Sequence, residues 1–189
     1  HHASSAASDV YKRQEFVGEV VSITKTLIQS NDCKGDVGPT FWDKQIEIIE
    51  DHVKDAIDKG AKVLVGGKRN PNFEGLYFEP TVLTEVTHEM KIMKDETFGP
   101  IISIMKVSSE EEALMLANQS HYGLNGNVWT KDLIKGKKLA QSIETGACSV
   151  NDMAMSYGVN EVPFGGVKES GLGVVNGCLL YTSDAADDA

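Results

Sequence analysis

Residues 100–107 read PIISIMKV and are nearly continuously apolar. A strand with one face in water alternates polar and apolar side chains, whereas a strand covered on both faces reads as an unbroken apolar run. The stretch therefore predicts a central strand in a mostly parallel sheet. Directly after it, Ser108 and Ser109 followed by Glu111 and Glu112 supply a capping box, which satisfies the free N–H groups at a helix start. The helix so predicted carries Ala113, Leu114, Leu116 and Ala117. A buried strand running at once into a helix is the unit from which α/β folds are assembled.

Working outward, the pattern repeats. Upstream, Phe16, Val17, Val20, Val21, Leu27 and Ile28 recur at helical spacing and predict an amphipathic helix, broken by a polar Gly/Pro loop over 31–39. Thr40 is placed to cap the next helix, whose stripe of Ile46, Ile49, Val53, Ala56 and Ile57 ends at Gly60. AKVLV at 61–65 reads as a short strand stopped by Gly66 and Gly67, and 77–86 as extended chain interrupted by Pro80. Downstream, 126–129 reads as strand, 131–144 as helix ending before Gly146, and 147–150 as strand. The expected fold is one α/β domain, a mostly parallel sheet with helices on both faces.

Hydrophobic residues make up 41% of the 189 and charged residues 24%, enough apolar material for one ordinary globular domain. No run approaches the roughly 18 apolar residues of a membrane helix, and no charged-then-apolar amino terminus suggests a signal peptide. The formal net charge of -10 argues against nucleic acid or an anionic membrane as partner. Cys33 and Cys148 are too few for a disulfide framework and lack metal-ligand spacing, so no metal site is expected and a reducing cytoplasm is the natural location.

Both ends read differently from the interior. DVYKRQ at 9–14 back-translates to GAT GTG TAT AAG AGA CAG, and CLLYTS at 178–183 to TGT CTC TTA TAC ACA TCT, very nearly its reverse complement. One DNA sequence in opposite orientations at two ends resembles a transposase adapter translated in frame. On this reading 1–14 and 178–189 are adapter-derived or disordered and non-native, and 15–177 is a partial domain. Cys178, Asp184, Asp187 and Asp188 then fall outside the native part.

The chemistry centres on the turn before the central strand. ETFGP at 96–100 presents an acidic side chain and an aromatic ring together. A carboxylate can accept hydrogen bonds from both hydroxyls of a ribose, and a flat ring can support a neighbouring nicotinamide. A solvated loop glutamate and a core phenylalanine are the plain alternatives. The glycine-rich PFGGVKESGLG at 163–173 invites a phosphate-loop reading, but it lacks the GxxxxGK[ST] spacing and does not fit a strand-to-helix GxGxxG.

ETFGP is followed at fitting distances by YGLNGNVWT, GACSVND and PFGGVKESGLG, and preceded by GPTFWDKQ, GAKVLVGG and FEPTVLTEV. Together these motifs resemble the aldehyde dehydrogenase superfamily over essentially residues 16–177. The resemblance implies a truncated catalytic domain of an NAD(P)-dependent oxidoreductase, with NAD or NADP as cofactor, a small-molecule aldehyde as substrate and a homo-oligomeric parent. It implies that Glu96 binds the nicotinamide ribose, that Phe98 packs beside the nicotinamide and that Gln45 contacts the same region. An exposed helix glutamine is the alternative for Gln45. Phe164 either lines the aldehyde tunnel or fills core, and the glycine-rich loop becomes a structural loop beside the active site.

In the mechanism so implied, a cysteine thiolate attacks the aldehyde, hydrogen-bond donors stabilise the oxyanion, hydride leaves for NAD(P), and a glutamate base activates water to release the acid. Both the cysteine and that glutamate precede the region aligned here, so no catalytic residue is assigned. Cys33 lies in a polar loop well after the nucleophile's place, and Cys148 reads as a small core residue. The run of motifs leans toward semialdehyde-oxidising members. A non-catalytic stand-alone domain of this fold, and an acyl-phosphate or acyl-CoA reductase relative, are the competing readings.

Overall fold

The computed structural model describes residues 5–8, 10–153, 158–159 and 161–177. Residues 1–4 and the stretch 178–189 lie outside the described residues. Where the sequence predicts one domain over 15–177, the chain divides into two compact units, His1–Glu110 and Glu111–Ala189. Each closes its strand pairings internally: a four-stranded sheet in the first and two two-stranded sheets in the second.

The first unit contains β1 (Ser5–Ser8), α1 (Val10–Thr26), α2 (Asp43–Asp58), β2 (Lys62–Val65), β3 (Thr81–Thr84), α3 (Lys91–Lys94) and β4 (Ile101–Lys106). Its sheet order is β1-β4-β3-β2. β4 pairs in parallel with both β1 and β3, so the PIISIMKV run is interior, as its apolarity predicts. β2 is an antiparallel edge strand with mostly exposed residues. The most buried strand is β3, in which Thr81, Val82, Leu83 and Thr84 are all shielded. A buried threonine hydroxyl needs partners. That of Thr81 donates to the Glu79 carbonyl at 2.7 Å and accepts from the Gly67 N–H at 2.8 Å.

On α2 the predicted stripe buries Ile46, Ile49, Val53 and Ala56, whereas Ile57 is exposed at its margin. The helix ends as Gly60 predicts. At φ +99° that glycine takes a left-handed conformation, its N–H donates to the Ile57 carbonyl at 2.9 Å, and the Ala61 N–H reaches back to Ala56 at 2.8 Å. The start differs from expectation. Thr40 does not cap α2; its hydroxyl and N–H both donate to the Leu76 carbonyl, at 3.0 and 2.8 Å, and Trp42 occupies the N-cap without a side-chain bond. α1 buries Thr24 and half-buries Val17, Val20 and Val21; Phe16, within the helix, is exposed, and Leu27 and Ile28 are exposed beyond its end at Thr26.

The second unit contains most of α4 (Glu110–Asn118), then β5 (Tyr122–Gly123), β6 (Asn125–Val128), α5 (Leu133–Ser142), β7 (Ala147–Val150) and β8 (Val167–Lys168). β6 and β7 are parallel and joined through α5, a βαβ crossover. The Asp132 side chain caps α5 by accepting from the Lys135 N–H at 3.0 Å. β5 pairs with β8 antiparallel. Beyond β7, the Asn151 side chain continues the pairing, accepting from the Thr130 N–H and donating to its carbonyl, both at 2.8 Å.

Candidate functional site

Gln45, Glu96 and Phe98 all belong to the first unit, and α2 organises them. Gln45 is only 6% exposed. The exposed-helix alternative for it is therefore excluded. It opens a face that continues at helical spacing through Ile49, His52, Val53 and Ala56, all buried.

The segment 91–99 is laid along that helix in the opposite direction. The Lys91 N–H donates to Asp55 Oδ2 at 2.8 Å, and Lys91 Nζ reaches Asp51 at 2.7 Å. Further along, the Thr97 hydroxyl lies 2.6 Å from His52 Nδ1. Gly99 then passes Ile49 so closely that an added Cβ would sit 2.6 Å from its Cδ1. Gln45 is one helical turn beyond Ile49. The turn itself is tight: the Gly99 N–H donates to the Thr97 carbonyl at 3.0 Å, and the Ile101 N–H to that of Gly99 at 2.8 Å. Pinned there, it leaves Glu96 exposed and Phe98 half-buried. The turn thus presents an acidic side chain to solvent two residues from a partly covered ring.

His52 escaped the sequence reading, although its signal was present as a polar residue in the middle of an apolar stripe. Burial pushes its imidazole below the ordinary histidine range; Asp95, Asp51 and Asp55 pull it back up, and Lys91 pushes it down.

Phe164, in the second unit, pairs across a two-residue bridge with Val175, N–H to carbonyl at 2.7 Å in each direction. It is half-buried. The surrounding glycines serve backbone packing: a Cβ on Gly146 would strike the Gly165 carbonyl, and one on Gly165 the Gly173 carbonyl. The loop's Lys168 Nζ donates to the Asn118 and Ser120 carbonyls at 2.7 and 3.0 Å and pairs with Glu144 at 2.9 Å. Close packing of this kind fits the structural-loop reading of 163–173 better than a phosphate cradle. Cys33 is exposed at φ 62° in its loop, and Cys148 is half-buried in β7, where burial pushes its thiol up and away from the thiolate form. Among the described residues no cluster of three or more His, Cys, Asp or Glu could hold a metal ion, and no helix is long and apolar enough to cross a membrane.

An α/β unit with a Glu-x-Phe turn pinned on a helix that also buries a glutamine one turn further along defines a candidate nicotinamide-side site. The chain belongs to the aldehyde dehydrogenase family, whose model matches residues 6–183. Among its relatives, a Mycobacterium ulcerans (strain Agy99) protein provisionally named succinate-semialdehyde dehydrogenase [NADP(+)] 2 is 43% identical over 80% of this chain and 30% of its own length. The 3-sulfolactaldehyde dehydrogenase of Priestia aryabhattai is 39% identical over 84% of the chain and 32% of its own. The crystal structure of a Mycobacterium tuberculosis aldehyde dehydrogenase complexed with NAD+ superposes with a TM-score of 0.85 at 34% identity, covering 92% of this chain and 36% of that one. The chain thus spans about a third of the length of the relatives it matches.

Proposed function

We propose that this chain is part of an NAD(P)-dependent aldehyde dehydrogenase that oxidises an aldehyde, of the semialdehyde type, to a carboxylic acid. The observation that carries the reading is the turn 96–100 held on α2 through Thr97 and Gly99, one helical turn from the buried Gln45. Glu96 would accept hydrogen bonds from the ribose hydroxyls, Phe98 would lie against the nicotinamide, and Gln45 would contact the same region of the cofactor. The cofactor, when bound, accepts hydride from the substrate. The chain's own part is to fix the ring's position and keep water from it, which is where positioning lowers a barrier. Phe164 would border the aldehyde's path.

Neither Cys33 nor Cys148 acts as nucleophile in this proposal. The reactive cysteine and its glutamate base are supplied by sequence outside 15–177, and the native enzyme is a cytoplasmic homo-oligomer. The semialdehyde preference is supported by the name of the Mycobacterium ulcerans relative. Purified chain given NAD+ or NADP+ and an aldehyde should produce no reduced cofactor. Turnover that survives Cys33→Ala and Cys148→Ala together would sink this placement of the nucleophile. Sequencing the source DNA across residues 14–15 and 177–178 tests the proposed native limits directly; a reading frame continuing unbroken in a natural gene at either junction would refute the adapter origin.

A further inference from the structure

We infer that His52 is the positioning residue of the cofactor turn: through its Nδ1 contact with the Thr97 hydroxyl it sets where Glu96 and Phe98 stand. The inference rests on the cofactor reading of that turn and adds the device that holds it.

Four of the contacts that tie 91–99 to α2 can be compared, and they differ in strength. Lys91 with Asp51 is an ion pair between half-exposed side chains, and such pairs contribute little in water. The Lys91 N–H to Asp55 bond fixes the start of α3, six residues before Thr97. Gly99 against Ile49 is a non-directional contact that sets distance but not orientation. Of these four, His52 with Thr97 is the short one made by a buried side chain, at 2.6 Å, and Thr97 stands between the two residues it would orient. A hydrogen bond removed from water is the contact whose loss costs most, because the remaining group stays buried without a partner.

The bond tolerates either charge state of the ring. With Nδ1 unprotonated, the Thr97 hydroxyl donates to it; with Nδ1 protonated, the same hydroxyl accepts. The groups facing the ring are Asp51 and Asp55 on its own helix and Lys91 and Asp95 on the docked segment. Desolvation outweighs the three carboxylates and, with the ammonium, holds the imidazole below the ordinary histidine range. His52 is accordingly a fixed brace across neutral pH, and not a proton switch.

Hydrogen exchange of the 189-residue chain, read by mass spectrometry on peptides covering 95–101, tests this with two opposed variants. His52→Asn keeps a hydrogen-bonding atom near the place of Nδ1 but leaves space; His52→Leu fills the space without the bond. Exchange in 95–101 should rise roughly five- to tenfold in His52→Leu and stay near wild type in His52→Asn, with β3 and residues 102–106 of β4 unchanged in both. Thr97→Val, which removes only the hydroxyl, should match His52→Leu, and it decides the matter if the His52 variants unfold the unit as a whole. Equal exchange in Leu and Asn variants, or no effect of Thr97→Val, overturns the inference. Millimolar nicotinamide mononucleotide then separates the two layers: it should protect 95–101 in wild type and His52→Asn but not in His52→Leu. Absence of protection in wild type, with the exchange contrast intact, refutes the cofactor reading of the turn and leaves the brace standing.

Discussion

In the unit through Glu110, Ile46, Ile49, Phe78, Leu83, Met90 and Ile104 are almost wholly removed from water, whereas from Glu111 onward the fully buried described residues are Gly123, Gly136 and Gly177. The first unit is held by side chains that leave water, the second mainly by hydrogen bonds and by glycines that let backbones approach. Gly136 shows the difference: an added Cβ would meet Thr130 and Val150 at 2.7 and 2.8 Å, so α5 sits on β7 through the absence of a side chain. Meanwhile Trp129, Ile134 and Leu172 stand in solvent. Burial of apolar surface is the dominant stabilising term, so two units of similar fold class should differ in stability.

The largest effect should come from the better-filled core. Phe78 is 1% exposed, and Phe78→Ala should destabilise the first unit by about 3–5 kcal/mol. Ile134 is 85% exposed, and Ile134→Ala should stay within about 0.5 kcal/mol. The chain carries its own reporters, Trp42 in the first unit and Trp129 in the second, so Trp→Phe at either site isolates the other's fluorescence during urea unfolding. The Trp129 transition should come at lower urea. Coincident transitions that shift together on Phe78→Ala would mean that the division into two units has no energetic counterpart.

Glycines sharpen the comparison at the next scale. Gly146→Ala forces apart the backbones at 146 and 165 and should cost the second unit roughly 1–3 kcal/mol, read as faster hydrogen exchange over 163–168. Gly18, in the middle of α1 with nothing near its would-be Cβ, should behave oppositely, Gly18→Ala stabilising by about 0.5–1 kcal/mol. Below these, Asp132→Ala removes the cap of α5 and should cost about 1 kcal/mol, visible in the Trp129 transition alone.

What was legible in the sequence follows the same divide. β4, the stripe of α2 and the Gly60 stop were readable because burial and left-handed backbone leave strong local marks. α3 and the β5–β8 pairing were not, since one turn of helix and a two-residue ladder carry no periodicity. Thr40 misled because a hydroxyl before a helix serves equally as a cap or as a donor to a distant carbonyl, and only the tertiary position of Leu76 decides. The motif at 96–100 named Glu96 and Phe98, but what fixes them, His52 and Ile49, sits forty and more residues upstream. The amino-terminal stretch is ambiguous for a physical reason. A helix begun at Glu15 can extend backward through VYKRQ at little cost because no Gly or Pro interrupts it, so the start of α1 at Val10 does not discriminate native from appended sequence.

The smallest expected effect bears on that stretch. Arg13 reaches Glu85 at 2.6 Å and holds its carboxyl below the usual range, chiefly through that hydrogen bond. Because the folded-state value is depressed, the pair's contribution is full above the unfolded carboxylate's range and vanishes as pH falls through the folded value. Two facts keep it small: Glu85 is 44% exposed, so solvent and salt screen the attraction, and Arg13 Nε is buried without a hydrogen-bond partner. Arg13→Ala should therefore lower the Trp42 transition by roughly 0.2–1 kcal/mol at neutral pH and low salt, leave the Trp129 transition alone, and converge with wild type in acid. A difference that grows as pH falls, or that appears at Trp129, would show that Arg13 acts on the fold by some route other than its ion pair with Glu85.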